Sequence, residues 1–191
     1  MKHSVFLFLF IQTIFMKGMQ NMNITFAPRG ILQIDDARIT YKNFSGEASQ
    51  YNREGDRNFA LVIPDCMVEH PDTKELMPLV DILKEDGWNV KIKPPRDEED
   101  SPFMYMNVKV KFNDRGPNCW LVTKGVKNKL DEESISCLDH IEIDSVDLDI
   151  RPYDWGPIGA DKKYGRTAYL QGIKVTQKVR DRFADEEYPE E

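Results

Sequence analysis

Aromatic rings interleaved with cationic side chains recur at three places in this chain. Tyr41, Lys42, Phe44, Tyr51, Arg53 and Arg57 form the first group. Tyr105, Lys109 and Lys111 share one parity of an alternating stretch, and Tyr153, Trp155, Lys162, Lys163, Tyr164 and Arg166 crowd a third segment. This mixture suits a single-stranded nucleic acid held without sequence choice. Bases stack on ring faces at about 1–3 kcal/mol each, while Lys and Arg follow the phosphates. Core packing is the competing use of a ring. Phe44, Phe59 and Phe112 are expected to serve it, whereas Tyr51 and Trp155, in polar glycine-bearing segments, are expected to be exposed.

Other chemistry finds little support. Glu142, Asp144, Asp147 and Asp149 could hold Mg²⁺ only from one face, and the hydrophobic alternation around them changes phase, which scatters the carboxylates. His3, His70 and His140 lie far apart and read as surface residues. Cys66, Cys119 and Cys137 show neither a CxxC nor a disulfide framework and are expected as small core residues in a reducing compartment. There is no Gly-rich phosphate loop, HExxH or GxSxG. A catalytic activity is not indicated, and no cofactor or metal is expected.

Mainly β elements must position these groups. Gly30–Phe44 alternates as one strand region, Ser45–Arg57 is a polar loop, and Phe59–Ile63 is an apolar strand stopped by Pro64. Asp72–Asp86 reads as the one principal helix. Asp72 can cap it with Glu75 three residues on; Leu76, Leu79, Val80 and Leu83 make a face, and Gly87 ends it. Pro78 inside the pattern moves the start to Lys74 or to Pro78 itself. Trp88–Lys93, Met104–Phe112 and Cys119–Thr123 are strands, and Lys124, Lys127 and Lys129 line a loop. Asp131–Cys137 is one helical turn. Ile141–Arg151 alternates with a phase change that predicts a bulge near Asp144–Ser145. Tyr153–Tyr164 is a Gly/Pro hairpin loop, and Thr167–Thr176 is the last strand. About seven strands and one helix predict a small barrel rather than a parallel α/β sheet.

The 191 residues carry a formal net charge of −7, unevenly spread. Lys162–Lys178 has five bases and no acid, whereas Val179–Glu191 has two arginines against six acids. A basic face can therefore coexist with an acidic total. Val5–Met16 is apolar but too short to span a bilayer. It is expected to lie upstream of a true start at Met19 or Met22, with a signal or membrane anchor, or a packed segment, as alternatives. The expected organisation is an extension over 1–21, a nucleic-acid-binding domain over 22–178 and a disordered acidic tail over 179–191.

The last quarter of the chain runs IDSVDLDIRPYDW, a Gly-rich hairpin, KYGRTAYLQGIKVTQ and then ADEEYPEE. This layout resembles phage single-stranded DNA-binding proteins, OB-fold barrels with an acidic C-terminal tail. NREGDRNFALVI, Asn52–Ile63, is similar to segments of phage and prophage proteins of this build. The resemblance covers Met22–Glu191 and implies sequence-independent single-stranded DNA binding in phage replication or recombination, in the host cytoplasm. It also implies that Asp185, Glu186, Glu187, Glu190 and Glu191 compete with DNA for the basic groove and recruit replication or recombination proteins. The chain ends Tyr188-Pro189-Glu190-Glu191, without the terminal aromatic, so docking through the last residue is not carried over. The alternatives are a phage protein that inhibits a host nuclease or defence complex through an acidic DNA-mimic surface, a secreted or envelope β-domain delivered by the N-terminal segment, and a nuclease or other enzyme.

Overall fold

The computed structural model describes residues 22–95, 102–114, 116–158 and 163–179. β1 (Asn23–Ala27) and β2 (Ile31–Asp35) pair antiparallel about a short 3-10 turn. At Asp36 the backbone takes a φ of 54°, a conformation that Asp tolerates better than most residues. The corner is pinned where Ala37 N donates to the Val146 carbonyl at 2.7 Å. β3 (Ile39–Asn43) then leaves to pair with β4 (Arg57–Ile63). Gly30–Phe44, expected as one strand region, is thus two strands in different parts of the sheet.

The helix is shorter than its pattern. β5 (Met67–Glu69) and β6 (Leu76–Pro78) form a separate two-stranded sheet, and α1 runs only over Leu79–Glu85. His70 Nδ1 accepts the backbone N–H groups of Asp72 and Thr73, both at 3.2 Å, so the expected cap region is a turn. Pro78 occupies the N-cap position, Leu79, Ile82 and Leu83 make the buried face, and Leu76 is exposed. The C-terminal end matches expectation. Gly87, at φ 88°, donates to Lys84 O, and Trp88 donates to Leu83 O. This is a Schellman closure, which needs a left-handed residue at Gly87.

β7 (Val90–Lys93), β8 (Phe103–Val110), β9 (Asn118–Thr123) and β10 (Val126–Leu130) follow. Lys124 and Gly125, both with positive φ, turn β9 directly into β10, as a two-residue hairpin requires. Lys127 and Lys129 therefore lie on a strand rather than in a loop. After a 3-10 turn at Ile135–Asp139 come β11 (Ile143–Ile158) and β12 (Lys163–Gln177). The bulge expected near Asp144–Ser145 is present as a register shift between Ile143 and Ser145. Tyr153–Tyr164, expected as a hairpin loop, is mostly strand: β11 and β12 continue their pairing as a ribbon to Ile158 and Lys163. Beyond Ile150 β11 has no second strand neighbour among the described residues, so Pro152 and Pro157 forfeit no ladder bond on that side.

The large sheet has the order β1-β2-β11-β12-β8-β4-β3, with β7 on β8, β9 on β12 and β10 beyond β9. Leu32, Phe59, Met106, Ile150 and Val175 come from well-separated strands of that order, yet lie in one buried cluster. The sheet therefore curls around a single core, although pairing among the described residues leaves free edges and no closed ring. This is the mainly-β fold with one principal helix that the strand pattern predicts. The tail from Arg180 and the extension over 1–21 lie outside the described residues.

Candidate nucleic-acid interface

The Schellman closure drops Trp88 into the core and aims the chain along the edge of β8 as β7. Val90 pairs with Met106 and Lys91 with Tyr105; Ile92 pairs with Met104 and Lys93 with Phe103. Because side chains alternate across a strand, Lys91 and Lys93 share the outer face with Phe103, Tyr105, Asn107 and Lys109. Met104, Met106, Val108 and Val110 are buried beneath them.

On that face Phe103 stacks on Tyr105, with centroids 5.4 Å apart, and Tyr41 meets Phe103 edge-on at 6.4 Å. The Lys93 ammonium lies 5.3 Å from both tyrosine centroids, and that of Lys91 lies 5.8 Å from Tyr105. Tyr41 reaches this platform through an irregularity in the β3–β4 register and a φ of 48°. That conformation is costly for an aromatic residue and points to a role for its ring.

A groove of about 650 Å³ opens over the platform, with Tyr51, Asn52, Asn58 and Asn107 on its walls. A second cavity, sharing Lys91 and Asn107, continues it past Lys109. Among the described residues no carboxylate lines either one. The 45–56 loop that carries Tyr51 is stitched to the strands. Asn43 Nδ2 donates to the Glu47 and Asp56 carbonyls, each at 3.1 Å, and Asn58 Nδ2 donates to Asn52 Oδ1 at 2.9 Å. The loop thereby holds Tyr51 in solvent, 85% exposed, over a groove of rings and ammonium groups.

Residues 22–189 match the family described as "Putative phage ssDNA-binding domain". The chain belongs to this family. Among solved structures it is similar to the single-stranded DNA-binding protein from bacteriophage Enc34. To the C-terminal truncation of that protein it is 13% identical, with a TM-score of 0.50 over 85% of this chain and 94% of the other. To the same phage protein in complex with ssDNA it is 12% identical, with a TM-score of 0.47 over 85% and 95%. At such identities the likeness is one of fold alone. No curated protein matches the chain.

Within this phage ssDNA-binding domain the cations of the sequence pattern divide by partner. Lys109 is exposed on the platform strand, with Lys111 just past its end and Arg53 exposed on the 45–56 loop. Lys42 is half-buried and lines the same groove, but its ammonium is already engaged. Its ammonium donates to the Leu138 carbonyl at 2.7 Å and tethers the 3-10 turn, and burial pushes its pKa down against the pull of Asp139. Arg57 pairs with Glu132 at 2.7 Å beneath Phe112. Lys162 lies outside the described residues, and of Lys163 only the backbone is described.

Arg166 is the most committed of them. Its Nε donates to Asp154 Oδ1 at 2.6 Å and its Nη2 to Asp154 Oδ2 at 3.1 Å; Nη1 reaches the Asp86 carbonyl and stands 3.1 Å from Asp86 Oδ2. The guanidinium lies 5.3 Å from the Trp88 centroid. Asp154 pairs with Arg166 across the ribbon and Trp155 with Gly165, so alternation sends Arg166 to the opposite face from Tyr153 and Trp155. These three, grouped in one loop by the sequence, do not share a surface. Arg166 ties the ribbon to the end of α1 and also lines the second cavity with Lys91 and Lys109. Arg166→Ala is expected to lower stability by about 1–3 kcal/mol, read as a shifted denaturant midpoint. The Arg166 hydrogen bond holds the Asp154 carboxyl below its usual range. The stabilisation is therefore present above about pH 3.9 and is lost as pH falls through the lower folded-state value. The gap between wild type and variant should shrink over that acid range.

The sequence pattern overlooked Lys91, Lys93, Phe103 and Asn107. The shared parity of Lys91 and Lys93 in WNVKIK was the available signal. Phe44 and Phe59 are buried as expected, and Phe112 is only half-buried. Trp155 is half-buried, while Tyr153 and Tyr164 are exposed. Cys119 is a core residue whose thiol burial pushes up to about 12, while Cys66 and Cys137 are half-buried.

Proposed function

We propose that this domain binds single-stranded DNA without sequence choice and without catalysing a reaction. Bases stack on Tyr41, Phe103, Tyr105 and Tyr51, and phosphates follow Lys91, Lys93 and Lys109. The observation that carries the reading is a groove lined by no carboxylate among the described residues, in which two ammonium groups flank Tyr105, itself stacked on Phe103. Membership of the phage ssDNA-binding domain family supports it independently. Every base offers a π-face, so stacking selects for unpaired bases rather than for sequence, and the lysines respond to charge alone. Each single-strand phosphate neutralised contributes about 0.7 to the salt slope. Fluorescence anisotropy of end-labelled oligo-dT, repeated across a salt series, tests this. Affinity should fall steeply with salt, by a slope near −2 for three lysines. Salt-independent binding, or equal preference for duplex, overturns it.

The finer reading keeps the boundaries at 22–178 and 179–191 and gives the acidic tail a part. Its charge supports occupation of the basic groove in the absence of DNA, and recruitment of replication or recombination proteins when DNA displaces it. The protein would then act in phage DNA replication or recombination in the host cytoplasm. Deleting Asp185–Glu191 removes five carboxylates and no base. Apparent affinity should tighten at about 0.01 M salt, where the Debye length is about 30 Å, and change little at 1 M, where it is about 3 Å. Weaker binding after deletion rules out competition by the tail.

A further inference from the structure

The outer face of β8 continues across two more strands. Asn58 pairs with Lys109, Lys109 with Tyr169, and Tyr169 with Arg151. Strands lie about 4.8 Å apart, so these four residues form one row across β4, β8, β12 and β11. Phe59, Val108 and Ala168, one residue along, are buried, which makes the row an outer one. At its far end the Arg151 guanidinium stands 5.1 Å from the Tyr169 centroid, and Tyr153 meets Tyr169 edge-on at 5.9 Å. Trp155 follows on the same face. Its indole N–H donates to Thr167 Oγ1 at 3.2 Å, and its ring covers Gly165. A Cβ at Gly165 would sit 2.4 Å from that ring, so only glycine lets the indole lie against the ribbon. Asp154 belongs to the opposite face with Arg166, while Asn113 and Asp114 line the cavity beside Arg151.

We infer that this ribbon face is a second base-stacking subsite for the same DNA strand, with Arg151 as its phosphate contact and Tyr153 as its exposed ring. The inference rests on the groove binding single-stranded DNA. From Phe103 to Lys109 the platform runs about 20 Å, and the row to Arg151 adds about 10 Å. About six nucleotides at 3.4 Å each span the first distance, so a short strand fills the groove alone and only a longer one reaches the ribbon.

The test uses the full chain, with oligo-dT of about 6 and about 15 nucleotides, both within the ~4–16 nucleotide range of such folds. Tyr153→Ala and Arg151→Gln should each weaken the longer strand about 5- to 100-fold and the shorter less than about 2-fold, with Tyr153→Phe close to wild type. Tyr105→Ala should weaken both lengths. If Tyr105→Ala weakens both but neither ribbon variant touches the longer strand, the second subsite is overturned and the groove stands. Equal losses at both lengths also overturn it, because the ribbon then belongs to the first contacts. If wild type binds neither length, or Tyr105→Ala changes neither, the groove itself fails and the subsite falls with it.

Discussion

Tyr105→Ala is expected to weaken single-stranded DNA binding about 5- to 150-fold, the equivalent of about 1–3 kcal/mol for one stacked base. The ring is half of the Phe103–Tyr105 stack and, among the described residues, the one ring that both Lys91 and Lys93 face, so its loss removes a base platform and two cation–π contacts together. The salt slope should survive, because no phosphate contact is lost. Replacing Lys91 and Lys93 by Ala should do the converse, flattening the slope by about 1.4 while stacking persists. Titrations at several salt concentrations separate the two. A Tyr105→Ala variant with a flattened slope, beside a lysine variant with an unchanged one, would reverse the roles assigned here.

Phe59→Ala is expected to cost about 3–5 kcal/mol of stability, a large share of the roughly 5–15 kcal/mol that holds a domain together. Phe59 is fully buried and stacks on Phe44 at 5.4 Å. It also pairs with Val108, directly beneath the Asn58–Lys109 pair of the outer face. Truncation therefore leaves a cavity under the outer-face platform. Equilibrium denaturation should show a lower midpoint with an unchanged slope. At low temperature the folded fraction should still bind oligo-dT, because no ring or ammonium of the groove is lost. A cost below about 1 kcal/mol would place the centre of the core elsewhere.

What the residues alone determined is what depends on period two and on local turn chemistry. MYMNVKVKF places Tyr105 and Lys109 on one face and Met104, Met106 and Val108 on the other, and the structure agrees. The broken alternation at Asp144–Ser145 announced a bulge, and Gly87 announced the end of the helix. Local reading erred where a distant partner prevailed. Asp72 and Glu75 form a good capping pattern, yet the chain ahead of Pro78 pairs with β5. Tyr153 and Trp155 look like loop residues, yet sixteen-residue β11 carries them in a ribbon paired with β12.

The cations show the same division more sharply. Nothing near Lys42, Arg57 or Arg166 in the sequence reveals that their partners are Leu138, Glu132 and Asp86, which lie 96, 75 and 80 residues away. Nor does anything near Lys91 and Lys93 reveal that Tyr41 and Tyr105 lie beside them. Alternation says which face a side chain takes and is written in its immediate neighbours. Which strands lie side by side, and hence which cations are neutralised and which stay exposed on the outer face, is set by the burial of one shared core that draws on the whole chain. Only the tertiary structure could decide that.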